Sequence, residues 1–400
     1  MWRLGFFFHE MGYGLLSIFL PLYIVAIEPS NGLFYFGILS AVALFLAIPA
    51  SFFWGYVCDK TKHYKRYILL SFFASTVLLC FFTITTAVYM LIVLYAVLSI
   101  MHVAHEAPKN VLIAELYSHE DWEKSFASYE GFTEVGWLIG LLLGFVLSTI
   151  GAGSGNTLFV CSALNLVAFI LSFLLVKDPA LIFERGLVSI EKTLDFAGRG
   201  MLLASKIMDG VSFDEKLKKE NVKIFGAGLV FFSLATSILF TPMPIFVSNV
   251  VKAASLPEGL VFAIFVLSTG GAVAGYAFAR SRSSESAGKL HLGKIALFRS
   301  FLTFLLMVAL QITAYSVGLI TGILVLMGFA YALFLVYTLS LSMELIPARK
   351  AGLFNVLIGL GGAIGSFVGP FIAQALGFLA VFIVAVVIFL LAYVAFKLFR

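Results

Sequence analysis

Charge is what this sequence has least of. Of its 400 residues 12% are Asp, Glu, Lys or Arg, against 62% hydrophobic, too little polar surface to cover an ordinary water-soluble fold. Cysteine is nearly missing as well. Cys58, Cys80 and Cys161 fall in or beside apolar runs without C-x-x-C spacing, which gives no support to a disulfide framework or a zinc site and leaves them as small apolar fillers. No Walker loop, G-x-S-x-G or H-E-x-x-H occurs, and GLGGAIG at residues 359–365 misses the dinucleotide spacing. The expectation is therefore no enzyme, no cofactor and no metal. The net charge of +5 sits in short connections between apolar runs, so it carries no nucleic-acid signal.

What the chain has in abundance is long hydrophobic runs. A helix needs about 20 apolar residues to cross roughly 30 Å of hydrocarbon. Windows bounded by charge, Gly or Pro give twelve such spans, at 4–27, 34–58, 67–87, 88–114, 126–150, 156–176, 223–249, 257–279, 293–315, 317–343, 352–375 and 377–397. Each must be an α-helix, because irregular backbone cannot face lipid. The runs lack the alternation of a barrel strand, and the first is longer than the roughly 7 to 15 residues of a signal-peptide core. The fold class expected is all-α and integral to the cell membrane, crossing it many times in contact with the lipid bilayer.

Orientation follows from the cations. Connections 2–3, 4–5, 6–7, 8–9 and 10–11, the termini and the adjoining helix ends hold 24 of the 26 Lys and Arg, which predicts both termini in the cytoplasm. The exceptions are Lys252 and Lys109, the latter inside span 4. Connection 6–7 stands apart: residues 177–222 are long, polar and basic, with Leu187, Ile190, Leu194, Met201, Ala204 and Met208 at helical spacing. A linker with an amphipathic helix on the cytoplasmic surface is expected there.

The chain is written twice. Gly-Tyr at Gly55 returns at Gly275, and each echo ends on a cation at its sixth position, Lys60 and Arg280. Pro21 at the end of span 1 answers Pro244 in span 7, and Glu115 answers Glu344. Gly136, Gly140 and Gly144 in span 5 answer Gly361, Gly365 and Gly369 in span 11. The division expected is a first six-helix bundle over 1–176, the linker over 177–222 and a second bundle over 223–400. A parallel repeat of this kind places a site at the midplane between its halves.

With these residues in view the chain resembles the major facilitator superfamily of secondary transporters. The sharpest likeness is the 2–3 loop, which in that family reads approximately G-x-x-x-D-R/K-x-G-R-R/K. Gly55, Asp59 and Lys60 match, Lys65 and Arg66 supply the basic pair two positions late, and the loop glycine is absent. The resemblance implies that this loop latches the outward-facing state. It also implies that spans 1, 4, 7 and 10 line a central cavity. The span-5 glycines keep the ladder of the family's antiporter signature, but Leu141 stands where that signature has proline, and close helix packing explains the ladder equally.

Ionisable groups at membrane depth are costly and mark a pathway. Span 1 offers His9 and Glu10. Span 4 offers His102, His105, Glu106 and Lys109 at helical spacing, and span 5 offers Glu130 and Glu134. Lys109 lies about 9 Å along its helix from Glu115, and Glu130 lies at a comparable depth, so an ion pair to Glu130 or Glu134 is expected. Pro108 predicts a bend beside Lys109. A carboxyl group exposed alternately on two sides can take up a proton on one and release it on the other, with histidine as relay; Glu10 with His9, and Glu106 with His105, are the pairs expected to do so. His102, His105 and Glu106 have metal-ligand spacing but no partner from another helix. The second half is poor in charge and rich in hydroxyls and aromatics, with Thr236, Ser237, Thr241, Tyr331, Tyr337 and Ser340 as its cargo wall. Arg299 is read as peripheral to span 9. Such a wall favours a neutral, amphipathic or aromatic small molecule. The function expected is alternating-access transport of that molecule by a monomer coupled to protons, with efflux the leading direction. Uptake of a sugar or organic acid is the first alternative, and a sensor or lipid-handling protein the second.

Overall fold

The computed structural model describes residues 1–116, 122–178, 222–281, 288–310, 316–345 and 352–399. The linker helix expected within 177–222 lies outside these residues over 179–221, and the side chains of Glu115, Arg280, Ser340 and Glu344 are likewise not described. Among the described residues there are helices and turns and no strand, and 12 segments are long and apolar enough to cross a membrane. The chain is an integral, multi-pass membrane protein.

The first six spans are α1 (Leu4–Ile27), α2 (Gly32–Thr61), α3 (Tyr64–Ile84), a broken fourth span made of α4 (Val88–His102) and α5 (Glu106–Leu116), α6 (Trp122–Thr149) and α7 (Ser154–Leu175). The last six are a broken seventh span made of α8 (Val222–Phe240) and α9 (Met243–Ala253), then α10 (Leu260–Ser281), α11 (Gly288–Ala309), α12 (Ser316–Leu345), α13 (Gly352–Leu376) and α14 (Phe378–Phe399).

Both breaks follow from proline. A proline ring clashes with the carbonyl four residues earlier, and for Pro108 that carbonyl belongs to Ala104. The chain responds with a 3-10 turn over Val103–His105, so the bend lies just before Pro108 and not at Lys109. The carbonyl of His102, released by the break, accepts a hydrogen bond from Ser71 Oγ at 3.1 Å. In span 7, Pro242 and Pro244 end α8 at Phe240 and restart the helix at Met243. Pro21 alone leaves α1 continuous.

The halves pack alike. In the first, α1 lies on α6 and α7, α3 on α4 and α7, and α2 on α4; in the second, α8 lies on α13 and α14, α11 on α12 and α14, and α10 on α12. The glycine ladders set this spacing. A Cβ on Gly136 or Gly140 would run into the carbonyl of Phe7 or Met11, and one on Gly361 or Gly365 into the carbonyl of Val230 or Leu234. These are matching positions in the register that pairs Pro21 with Pro244. The ladders are therefore used for close helix packing.

Between the halves, α2 meets α13 and α6 meets α10, two contacts related by the same repeat. The first runs from Ser30, just before α2, to Ile48, which meets Gly359, and both include contacts at the end away from residues 55–66. Phe34 lies against Phe367 at 6.2 Å between ring centroids, Gln374 Nε2 donates to the Ser30 carbonyl at 2.8 Å, and Gly259 sits beside Phe145 and Thr149. At the opposite end, a Cβ on Gly55 would meet nothing within 4 Å.

Candidate functional site

The break in span 4 delivers two histidines to a third. His9, fully buried on α1, faces His102 and His105, and ring nitrogens of the three lie within 4.8 Å of one another. Gly12 keeps α7 close enough for Asn165 to join them, since a Cβ there would stand 2.7 Å from Asn165 Nδ2.

The hydrogen bonds fix where protons sit. Asn165 Nδ2 donates to the Cys161 carbonyl at 2.9 Å, which turns Oδ1 toward His9 Nδ1 at 2.6 Å. An amide oxygen only accepts, so Nδ1 of His9 donates and its Nε2 offers a lone pair to His102 Nδ1 at 3.0 Å. Ser71 spends its proton on the His102 carbonyl and so accepts from His105 Nδ1 at 3.2 Å. His105 Nε2 then faces Glu106 Oε1 at 3.3 Å. The cluster the sequence lacked a partner for gains one in His9, and both nitrogens of His9, both of His105 and Nδ1 of His102 have partners in Asn165, Ser71, Glu106 and one another.

From Glu106 the network continues outward. Lys109 Nζ lies 2.5 Å from Glu106 Oε2 and 3.5 Å from Glu130 Oε1. The expected bridge to Glu130 is present, but the shorter contact is to Glu106, three residues back on α5, where i and i+3 share a helix face. Glu134 is not an ion-pair partner of Lys109 among the described residues. It stands instead within electrostatic reach of Tyr276 and Tyr331 in the second half. Glu10 lies in the field of Glu106, Lys109, Glu130 and Glu134. It does not bond His9, because successive helix residues point about 100° apart.

The second half repeats this geometry with other chemistry. At the register already given, His9 corresponds to Phe232; at the register of Glu115 with Glu344, His102 and His105 correspond to Tyr331 and Phe334. Phe232 and Phe334 stack at 3.5 Å between centroids. Arg299 requires a correction. The sequence placed it at the edge of span 9, but α11 begins at Gly288, so Arg299 falls at mid-span and is fully buried. Its guanidinium carbon lies 5.3 Å from the ring centroid of Phe232, 5.1 Å from Phe240, 5.4 Å from Tyr331 and 5.2 Å from Phe389. The count of cations in the connections is smaller by one as a result.

Of the expected cargo wall, Tyr331 is found against Arg299, Thr236 lies on α8 midway between Phe232 and Phe240, Thr241 lies in the break of span 7, and Tyr337 packs half-buried against the apolar core. Sequence reading missed Asn165, Ser71 and Tyr13. Their only sequence signal is a polar group inside an apolar run. In the 2–3 loop, counting from Gly55 at the family spacing puts the missing glycine at Lys62, and Lys62 adopts the left-handed conformation at φ 57°. Asp59, Lys60 and Arg66 are exposed. Lys65 is held by the end of α7, its backbone N–H donating to Asp178 at 2.7 Å and its Nζ to the Phe173 carbonyl at 2.6 Å.

Solved structures share this fold. The nucleoside transporter NupG is 13% identical, with a TM-score of 0.73 over 100% of this chain and 98% of that one. The human organic anion transporter MFSD10 (TETRAN) is 14% identical, with a TM-score of 0.68 over 99% and 97%. At such identities the likeness concerns fold alone. No curated protein matches by sequence. The sequence profile of the Major Facilitator Superfamily matches residues 4–370, and with the repeated helix packing and the 2–3 loop already described, the chain belongs to that superfamily of transporters.

Proposed function

We propose that this protein is a proton-coupled secondary transporter of the cell membrane that carries a small molecule by alternating access. The blocks over 1–176 and 223–400 rock about a shared midplane site, tied by 177–222. The observation that carries this reading is the convergence of Glu10, His105, Glu106, Lys109, Glu130 and Glu134 from spans 1, 4 and 5, with Tyr276 and Tyr331 of the other half within their field. Charges at this depth mark a pathway.

The proton site is assigned to His105 and Glu106. With Nδ1 donating to Ser71, His105 can take a further proton only on Nε2, pointed at Glu106. His9 and His102 extend the path inward to Asn165, and Glu10, Glu130 and Glu134 form its carboxylate mouth. If residues 55–66 face the cytoplasm, the packing of Ser30 with Gln374 and of Phe34 with Phe367 closes the outer end. Lys65, bound within its own half, then fits an unlatched, inward-open state.

Efflux of amphipathic compounds rests on the 2–3 loop and the partial span-5 signature, and packing against Phe7 and Met11 already accounts for two of the span-5 glycines. Uptake by proton symport uses the same site and differs only in which face loads cargo. The test is flux in proteoliposomes under an imposed pH gradient. Wild-type protein should respond to the gradient, and Glu106→Gln should lose that response while cargo exchange at equal pH continues. A gradient response unchanged in Glu106→Gln would remove Glu106 from the coupling site.

A further inference from the structure

Arg299 is a cation without a hydrogen-bond partner. Its Nε, Nη1 and Nη2 are buried, and none finds an acceptor among the described residues. Four aromatic rings around it stabilise the charge through their faces, but a ring face does not satisfy five N–H donors aimed between the rings. A guanidinium so placed is costly unless an anion completes it.

A second orphan lies on the helix that supplies two of those rings. Thr236 Oγ1 is buried and also lacks a partner. Thr236 is four residues after Phe232 and four before Phe240, so the three share one face of α8, and the outer two hold their rings on Arg299. The unsatisfied hydroxyl therefore sits between the two phenylalanines that flank the unsatisfied guanidinium. Both lack the same thing, an oxygen acceptor.

We infer that Arg299 and Thr236 form an anion subsite for the carboxylate of an organic-acid cargo, reached past Tyr331. Tyr331 holds its ring 5.4 Å from the guanidinium carbon and lies on span 10, one of the spans that the resemblance places around the cavity. Phe240, at 5.1 Å on the other side, is the last residue of α8, at the break of span 7. Bending at residues 241–242 would carry its ring off the guanidinium, and the planar N–H fork would then accept a carboxylate bidentately, with the threonine hydroxyl as a third donor. The aromatic rings suit an apolar body on that acid. This replaces the neutral cargo expected from the sequence, an expectation that depended on finding no arginine in this wall.

The inference rests on the transporter reading but not on its proton, so it is tested by binding. Purified protein is heated with benzoate or hexanoate, and with benzamide or hexanamide as uncharged matches, since selective binding raises the melting temperature. The acids should stabilise the wild-type protein and the amides should not. Arg299→Lys and Thr236→Val should each weaken the half-maximal acid concentration about tenfold or more, and Arg299→Met should abolish the difference between acid and amide. Should Arg299→Met not fold, Arg299→Lys and Thr236→Val decide. Equal stabilisation by acid and amide in the wild type, or an acid preference that survives in all the folded variants, overturns the subsite. Acid binding that remains intact in Glu106→Gln while gradient response also remains would sink the proton assignment and leave the subsite standing.

Discussion

The carbonyl of Met11 stands where a side chain on Gly140 would have to be, and the carbonyl of Leu234 does the same to Gly365. The two contacts are one contact made twice. Each holds the fifth helix of a half against its first. Gly140→Val and Gly365→Val should therefore both lower the melting temperature, by a stability loss of about 1–3 kcal/mol or more where the backbone cannot yield. Gly55→Ala, inside α2 with open space around it, should not lower it and should raise it slightly. Thermal unfolding of the detergent-purified variants checks all three.

Lys109 is the shared counter-ion of Glu106 and Glu130, with side chains 41% and 48% exposed against its own 10%. Lys109→Met should destabilise by about 1–3 kcal/mol, less than for a fully buried pair because solvent screens both acids. Adding Glu106→Gln to Lys109→Met should recover part of that loss, since one stranded charge is removed. A double-mutant cycle on melting temperature reads the coupling.

Asn165 sets the tautomer of His9. Asn165→Leu leaves a buried ring N–H without an acceptor and should cost about 1–3 kcal/mol in thermal unfolding. A variant that melts with the wild-type protein would show that the amide does not orient the histidine.

Ser30 and Gln374 close one end of the molecule across the two halves. In a background with the exposed Cys80 replaced by Ser, joining S30C to Q374C with a short bifunctional thiol reagent should stop cargo exchange. The single-cysteine proteins treated alike should remain active. Unimpaired exchange in the cross-linked protein would mean that this end does not open.

Lys62 pays a conformational penalty at φ 57°. Lys62→Gly should raise stability by up to about 1 kcal/mol, and Lys62→Val should lower it, because a β-branched residue tolerates that region least. Melting curves of both would show it.

Much of the architecture was legible in the residues. Lipid forces every span to satisfy its own backbone, so apolar length alone located the twelve spans, all but the ninth to within about four residues, and the glycine ladders with Pro21 and Pro244 carried the repeat. The candidate carboxylates and histidines were legible because charge at membrane depth is rare. Their pairings were not. Which acid Lys109 reaches across to depends on how α5 and α6 face each other, and Glu130 and Glu134, one turn apart on α6, carry the same signal in the sequence.

By itself, then, the sequence determined that the chain crosses a bilayer in two related sets of six helices, because hydrophobic length and internal repetition are properties of a line of residues. Only the folded molecule decided that His9 meets His102, that Asn165 orients His9, and that Arg299 lies at mid-span among four aromatic rings. Those relations join residues far apart in the chain, and a contact between two faces depends on the rotation and approach of helices that no local pattern records.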